Sequence, residues 1–130
     1  MDKKVKKFVE SLDEVLYYDR EANVSVCLLV NPISKEVMSR GLSICSVEDQ
    51  YIKKVGRNKA RGKAVQSIVH KKNIDEIKSL IDAYACLSLD GIFGRNTKWF
   101  KGTYRPIISD YEEELIGRKY NPVKKDKQKK

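Results

Sequence analysis

From Lys53 to Lys72 the chain sets eight basic residues (Lys53, Lys54, Arg57, Lys59, Arg61, Lys63, Lys71, Lys72) and no carboxylate beside a stripe of apolar or small residues, Ile52, Gly56, Ala60, Ala64 and Ile68. The stripe recurs every fourth position, which places it on one side of an α-helix, and residues this small suit a helix lying close against a sheet. Val55, Val65 and Val69 are expected to widen it. The remaining faces then carry Lys53, Lys54, Arg57, Lys59, Arg61 and Lys63 to solvent. Gly56 and Gly62 each cost about 1 kcal/mol of helix propensity, so the sequence leaves open whether the helix runs unbroken through Arg57-Asn58.

That block carries +8 of a whole-chain charge of +9. So one-sided a run repels itself, whereas a merely solvated face usually mixes signs, and an acidic polymer such as nucleic acid is the natural partner. Elsewhere the charge divides unevenly: residues 1–52 carry −2, residues 73–117 carry −3 and residues 118–130 carry +6. Two basic segments therefore flank a mildly acidic body, an asymmetry that points to contact with phosphates.

The 130 residues suit a single domain, and with 41% hydrophobic and 35% charged residues a charged surface over one core is expected. No apolar stretch approaches the roughly 20 residues of a membrane span, and Met1-Asp2-Lys3-Lys4 is not followed by the apolar core of a signal peptide. A cytoplasmic location without membrane contact is the expectation; nothing sets the oligomeric state. Cys27, Cys45 and Cys86 are far apart and form no Cys-x-x-Cys pair, which reads as reduced core residues rather than a disulfide scaffold or zinc site.

Along the chain, Val5, Phe8, Val9, Leu12, Val15 and Leu16 keep helical spacing, predicting an N-terminal helix that ends near Tyr17 or Tyr18. Alternation from Val24 to Val30 and again from Val37 to Cys45, joined by Asn31-Pro32-Ile33-Ser34-Lys35, predicts an antiparallel hairpin. In the second run Met38, Arg40, Leu42 and Ile44 are expected on one face. Ser46, Glu48 and Asp49 read as the start of the basic helix. Asn73-Ile74-Asp75-Glu76 reads as another start, with Ile74, Ile77, Leu80, Ile81 and Tyr84 as its apolar face, and Asp90 to Arg105 reads as a loop. A last helix is predicted from a Ser109 cap with Glu112 three residues on, closing at Gly117. The fold class is thus α+β over residues 1–120. Residues 121–130 are expected to be a disordered lysine-rich tail.

A second constellation interleaves four aromatics with four cations: Phe93, Trp99, Phe100 and Tyr104 with Arg95, Lys98, Lys101 and Arg105. Aromatic faces stack on unpaired bases while cations hold the backbone, so Trp99, Phe100, Tyr104 and Arg105 are candidate single-strand contacts. The competing reading is a hairpin whose Trp99 or Phe100 faces inward to close the core.

Catalysis has little support. His70 is the sole histidine and lies beside Lys71 and Lys72 without a nearby acid. Asp110, Glu112, Glu113 and Glu114, with Asp82 or Asp90, would make a crude metal-dependent nuclease site, but acids favouring a helix N-terminus explain them more simply. No Gly-x-Gly-x-x-Gly or Walker pattern implies a cofactor. The expected function is non-enzymatic binding of DNA or RNA through the phosphate backbone, with Arg57, Lys59, Arg61 and Lys63 foremost.

Residues Arg40 to Ala64, RGLSICSVEDQYIKKVGRNKARGKA, resemble a pattern in small uncharacterised phage proteins: a strand ending in Cys-Ser, an Asp two residues before an aromatic, then Gly-Arg and Arg-Gly-x-Ala. The resemblance implies a phage or mobile-element origin and a hairpin followed by a helix; it carries no activity. It also opens an alternative, a phage-encoded protein that binds and inhibits or redirects a host protein. The order helix, hairpin, basic helix is similar to double-stranded RNA-binding domains, in which a lysine-rich helix start spans phosphates. Here no third strand is read ahead of that helix, and the helix opens with the acidic Glu48 and Asp49, so the likeness is one of architecture only.

Overall fold

Alternation at Val24–Val30 and Val37–Ile44 does build two neighbouring strands, β2 and β3, and everything else is arranged on their two faces. The computed structural model describes residues 2–19, 24–44, 53–77 and 100–121. Among these the elements run α1 (Lys3–Glu10), β1 (Asp13–Asp19), β2, β3, α2 (Lys53–His70), β4 (Ile74–Glu76), β5 (Phe100–Tyr104) and α3 (Asp110–Tyr120). The strands form one antiparallel sheet in the order β1-β2-β3-β5-β4, confirming the α+β class.

β2 is buried along its whole length because helices cover both faces of the sheet. One face, formed by Cys27, Leu29 and Met38, packs against Val9 and Leu12 at the end of α1 and Ala60, Ala64 and Ile68 of α2. The other, formed by Val15, Val24, Val26, Leu28, Val30, Val37 and Leu42, is covered by Ile108 and by Leu115, Ile116 and Tyr120 of α3. No helix among the described residues is long and apolar enough to cross a membrane.

The small stripe of α2 does what its size allows. Gly56, Ala60, Ala64 and Ile68 are buried, as is Ser67. The helix backbone rests on Gly41 of β3 and Gly102 of β5, which face each other across the strand pair. α2 is continuous through Gly56, Arg57, Asn58 and Gly62, so burial of its stripe outweighs the propensity cost of the glycines. Val55 does not join the stripe; it is 44% exposed. The helix ends at His70, and Lys71 takes a left-handed conformation (φ 53°) while the Lys72 N–H returns to the Ser67 carbonyl, a Schellman-type stop without glycine.

Several expectations are corrected. The N-terminal helix stops at Glu10, and Asp13–Asp19 is a strand, with Val15 and Leu16 on opposite faces. β1 is therefore a third strand ahead of the basic helix, giving the order α1-β1-β2-β3-α2. A bulge between Leu29 and Val30 in the β2–β3 register moves Met38 to the α2 face, while Arg40, Leu42 and Ile44 stay opposite. Ile74–Glu76 is strand β4, not a helix start: the Asn73 side chain accepts from the Tyr104 N–H, and β5 captures Ile74 and Glu76. Phe100–Tyr104 is a strand rather than loop. The Ser109–Glu112 capping box is present, but the last helix continues past Gly117 to Tyr120. The expected start at Ser46, the apolar face beyond Ile77 and the tail from residue 122 lie outside the described residues.

Candidate nucleic-acid interface

At 3.6 residues per turn, the buried stripe of α2 divides its remaining positions into two flanks and a crest. Lys54, Arg57 and Arg61 fall on the flank toward β1. Lys59 and Lys63 fall on the flank toward β5. Val55, Asn58 and Gly62 occupy the crest between them, which carries no charge.

Each flank borders a hollow. One, of about 450 Å³, is lined by Lys54, Arg57, Asn58 and Arg61 with Glu14 and Leu16 of β1. The other, of about 400 Å³, is lined by Lys59, Gly62, Lys63 and Gln66 with Lys101 of β5 and Leu42 to Ile44 of β3. The helix thus stands proud of the sheet with a cationic recess on either side.

Two of these cations already have acidic neighbours. Arg61 Nε lies 3.2 Å from Glu14 Oε1, and Lys63 Nζ bonds Asp75, whose carboxyl it holds below the usual carboxylate range chiefly through that hydrogen bond. Such exposed pairs are worth at most about 1 kcal/mol. Among the described residues Lys54, Arg57 and Lys59 enter no ion pair. They are exposed, so their charge is available to a ligand.

The helical layer contains further cations that the charge partition concealed. Lys3, Lys4, Lys6 and Lys7 of α1 are all exposed on the same side of the sheet as α2. Averaging over residues 1–52 cancels them against acids elsewhere; the Lys-Lys-x-Lys-Lys spacing around Val5 was the available signal.

The remaining candidates are scattered. Lys71 and Lys72 are exposed beyond the C-terminus of α2. Tyr104 packs half-buried against the α2-side core, with the Arg105 guanidinium 5.7 Å from its ring centroid, so its ring is a packing surface before it is a stacking platform. Phe100 is half-buried on β5. Lys101 joins Lys59 and Lys63 at the second hollow. The side chain of Lys53, together with Arg95, Lys98 and Trp99, lies outside the described residues.

Among the described residues no three His, Cys, Asp or Glu side chains group to hold a metal ion; Asp82 and Asp90, the other members of the candidate acidic set, lie outside the described residues. Glu112 is fully buried against Arg40, which donates through Nε at 2.8 Å and through Nη2, and Tyr17 Oη donates at 2.9 Å. Arg40 Nη2 also donates to the Ile107 carbonyl at 2.8 Å. This network pins α3 to the sheet. Cys27 is a buried free thiol, pushed up to about 12 mainly by burial, which makes it inert.

No family model matches the chain, and no curated protein or solved structure is significantly similar to it.

Proposed function

We propose that this chain binds nucleic acid without catalysing a reaction, gripping the phosphate backbone with the layer formed by α1 and α2. One observation carries the reading: charge is segregated across the sheet. The sequences of α1 and α2 together contain ten lysines and arginines against the single carboxylate Glu10, whereas that of α3 on the opposite face holds four carboxylates and two cations. A fold that only needed solubility would intersperse the signs; concentrating cations on one layer raises the local potential that attracts a polyanion.

Lys54, Arg57 and Lys59 changed together to glutamine should leave a folded protein with most of its affinity for a mixed oligonucleotide lost. Parent affinity should fall steeply between about 50 and 200 mM salt, and the variant's slope of log K against log salt should be shallower by about 3, one counterion per lost phosphate contact. Anisotropy titrations across salt, with a thermal melt to check folding, measure both. A folded variant with parental affinity and slope would move the site off α2.

A further inference from the structure

We propose that α2 is a recognition helix that enters the major groove of B-form duplex DNA, its two cationic flanks meeting the two phosphate backbones and its uncharged crest meeting the base edges. The inference rests on the phosphate-binding reading above and adds the class of nucleic acid and the way it is read.

The arrangement of α2 differs from that of a helix lying along a single strand. One strand needs one cationic row; α2 has two, Lys54-Arg57-Arg61 and Lys59-Lys63, on opposite flanks and each above its own recess. With side chains a helix is about 10–12 Å across, and the B-DNA major groove is about 12 Å wide, so a helix seated there has a phosphate backbone on either side. The two recesses lie where those backbones would pass. The 18 residues of α2 span about 27 Å, ample for the crest residues Val55, Asn58 and Gly62, spaced by three and four, to follow the groove floor.

The crest has suitable chemistry. Asn58 is exposed and carries the amide that pairs with adenine N6 and N7, and the exposed Val55 can meet a thymine methyl. Gly62 is notable because a Cβ added there would meet nothing within 4 Å among the described residues: neither the sheet nor α1 requires glycine at this position. Its missing side chain leaves the helix backbone bare at the crest, where close approach to a groove floor needs it. A-form RNA excludes this mode, since its major groove is too narrow and deep for a helix.

The test compares the full chain and two crest variants, Gly62→Leu and Asn58→Leu, on a DNA duplex of about 20 base pairs, the RNA duplex of the same sequence and the single DNA strand. The parent should bind the DNA duplex about tenfold or more tightly than either other probe, and each variant should lose about tenfold on the DNA duplex while changing little on the others. A thermal melt should show Gly62→Leu as stable as the parent or more so. Parental DNA affinity in either folded variant, or equal parental binding to RNA duplex or single strand, overturns groove insertion and leaves backbone binding standing. Absence of binding to all three probes overturns the phosphate reading and this one with it.

Discussion

Replacing Gly41 by valine is expected to prevent folding, and even Gly41→Ala should cost about 3 kcal/mol or more, the upper end of what overpacking a well-filled site does. A Cβ at Gly41 would overlap the Ala60 carbonyl oxygen and stand 2.5 Å from the Ala64 nitrogen. Both are backbone atoms, so no rotamer change relieves the clash; α2 itself must move. It cannot pivot, because across the strand pair Gly102 holds the same helix, and a Cβ there would lie 2.7 Å from the Lys63 carbonyl oxygen and 2.6 Å from the Ile74 side chain. Lifting α2 away would open space beneath Ala60, Ala64 and Ile68, losing the core on that face. Gly62 on the same helix provides the opposite sign. With nothing within 4 Å among the described residues, Gly62→Ala should stabilise the protein by about 0.5–1 kcal/mol through helix propensity alone. Urea melts of the three variants check the contrast; a Gly41→Ala protein as stable as Gly62→Ala would mean that α2 does not touch the sheet here.

Those glycines illustrate how the sequence is legible and where it stops. The four-residue stripe from Gly56 to Ile68 is a local signal, and it identified the helix face that meets the sheet; its partners Gly41 and Gly102 are distant in sequence, and nothing marks them as contacts. The hairpin strands and the Ser109–Glu112 cap were readable for the same local reason. β1 was not, because Val15 and Leu16 continue the helical spacing of Val5, Val9 and Leu12 by coincidence, and the break at Ser11-Leu12 uses neither glycine nor proline. The Ser11 N–H closes onto Lys7 and Phe8 instead, a stop made from hydrogen bonds that composition does not announce. Asn73 has the local signature of a helix cap, yet its side chain is committed to β5, a choice decided by the tertiary partner Tyr104. The bulge that turns Met38 away from Arg40 is likewise invisible to a period-two reading. In the candidate interface, the cations were legible but their division into two flanks was not, since it needs the buried side of α2 as a reference. The pairing of Arg40 with Glu112 joins residues 72 positions apart and left no trace in the local pattern.

Breaking that pair singly should be among the most damaging changes in the molecule. Arg40 is 1% exposed and Glu112 is 0% exposed, so Arg40→Met or Glu112→Leu leaves the other charge buried without its counterion, at a cost of about 3–5 kcal/mol. The double variant should recover much of the loss, because burying two ions is itself expensive and apolar replacements remove that penalty. Recovery stays incomplete: Tyr17 Oη, the Ile107 carbonyl and the Ser109 N–H each lose a partner, and a buried polar group left unpaired costs about 1–3 kcal/mol. A double-mutant cycle therefore shows strong coupling, whereas residues that merely pack nearby would add. Tyr17 supplies a pH signature of the same network. Burial, reinforced by the adjacent Glu112 carboxylate, raises its phenol far above the ordinary 10.0, so the folded state favours the neutral form. The sign follows: this stabilisation is complete below pH 10 and declines as pH climbs beyond it, where the unfolded chain's tyrosine ionises and the folded one does not. Thermal melts at rising alkaline pH should show a decline that Tyr17→Phe flattens. Additive losses in the cycle, with no change in the alkaline profile of Tyr17→Phe, would mean that α3 is held to the sheet by the packing of Leu115, Ile116 and Tyr120 rather than by this network.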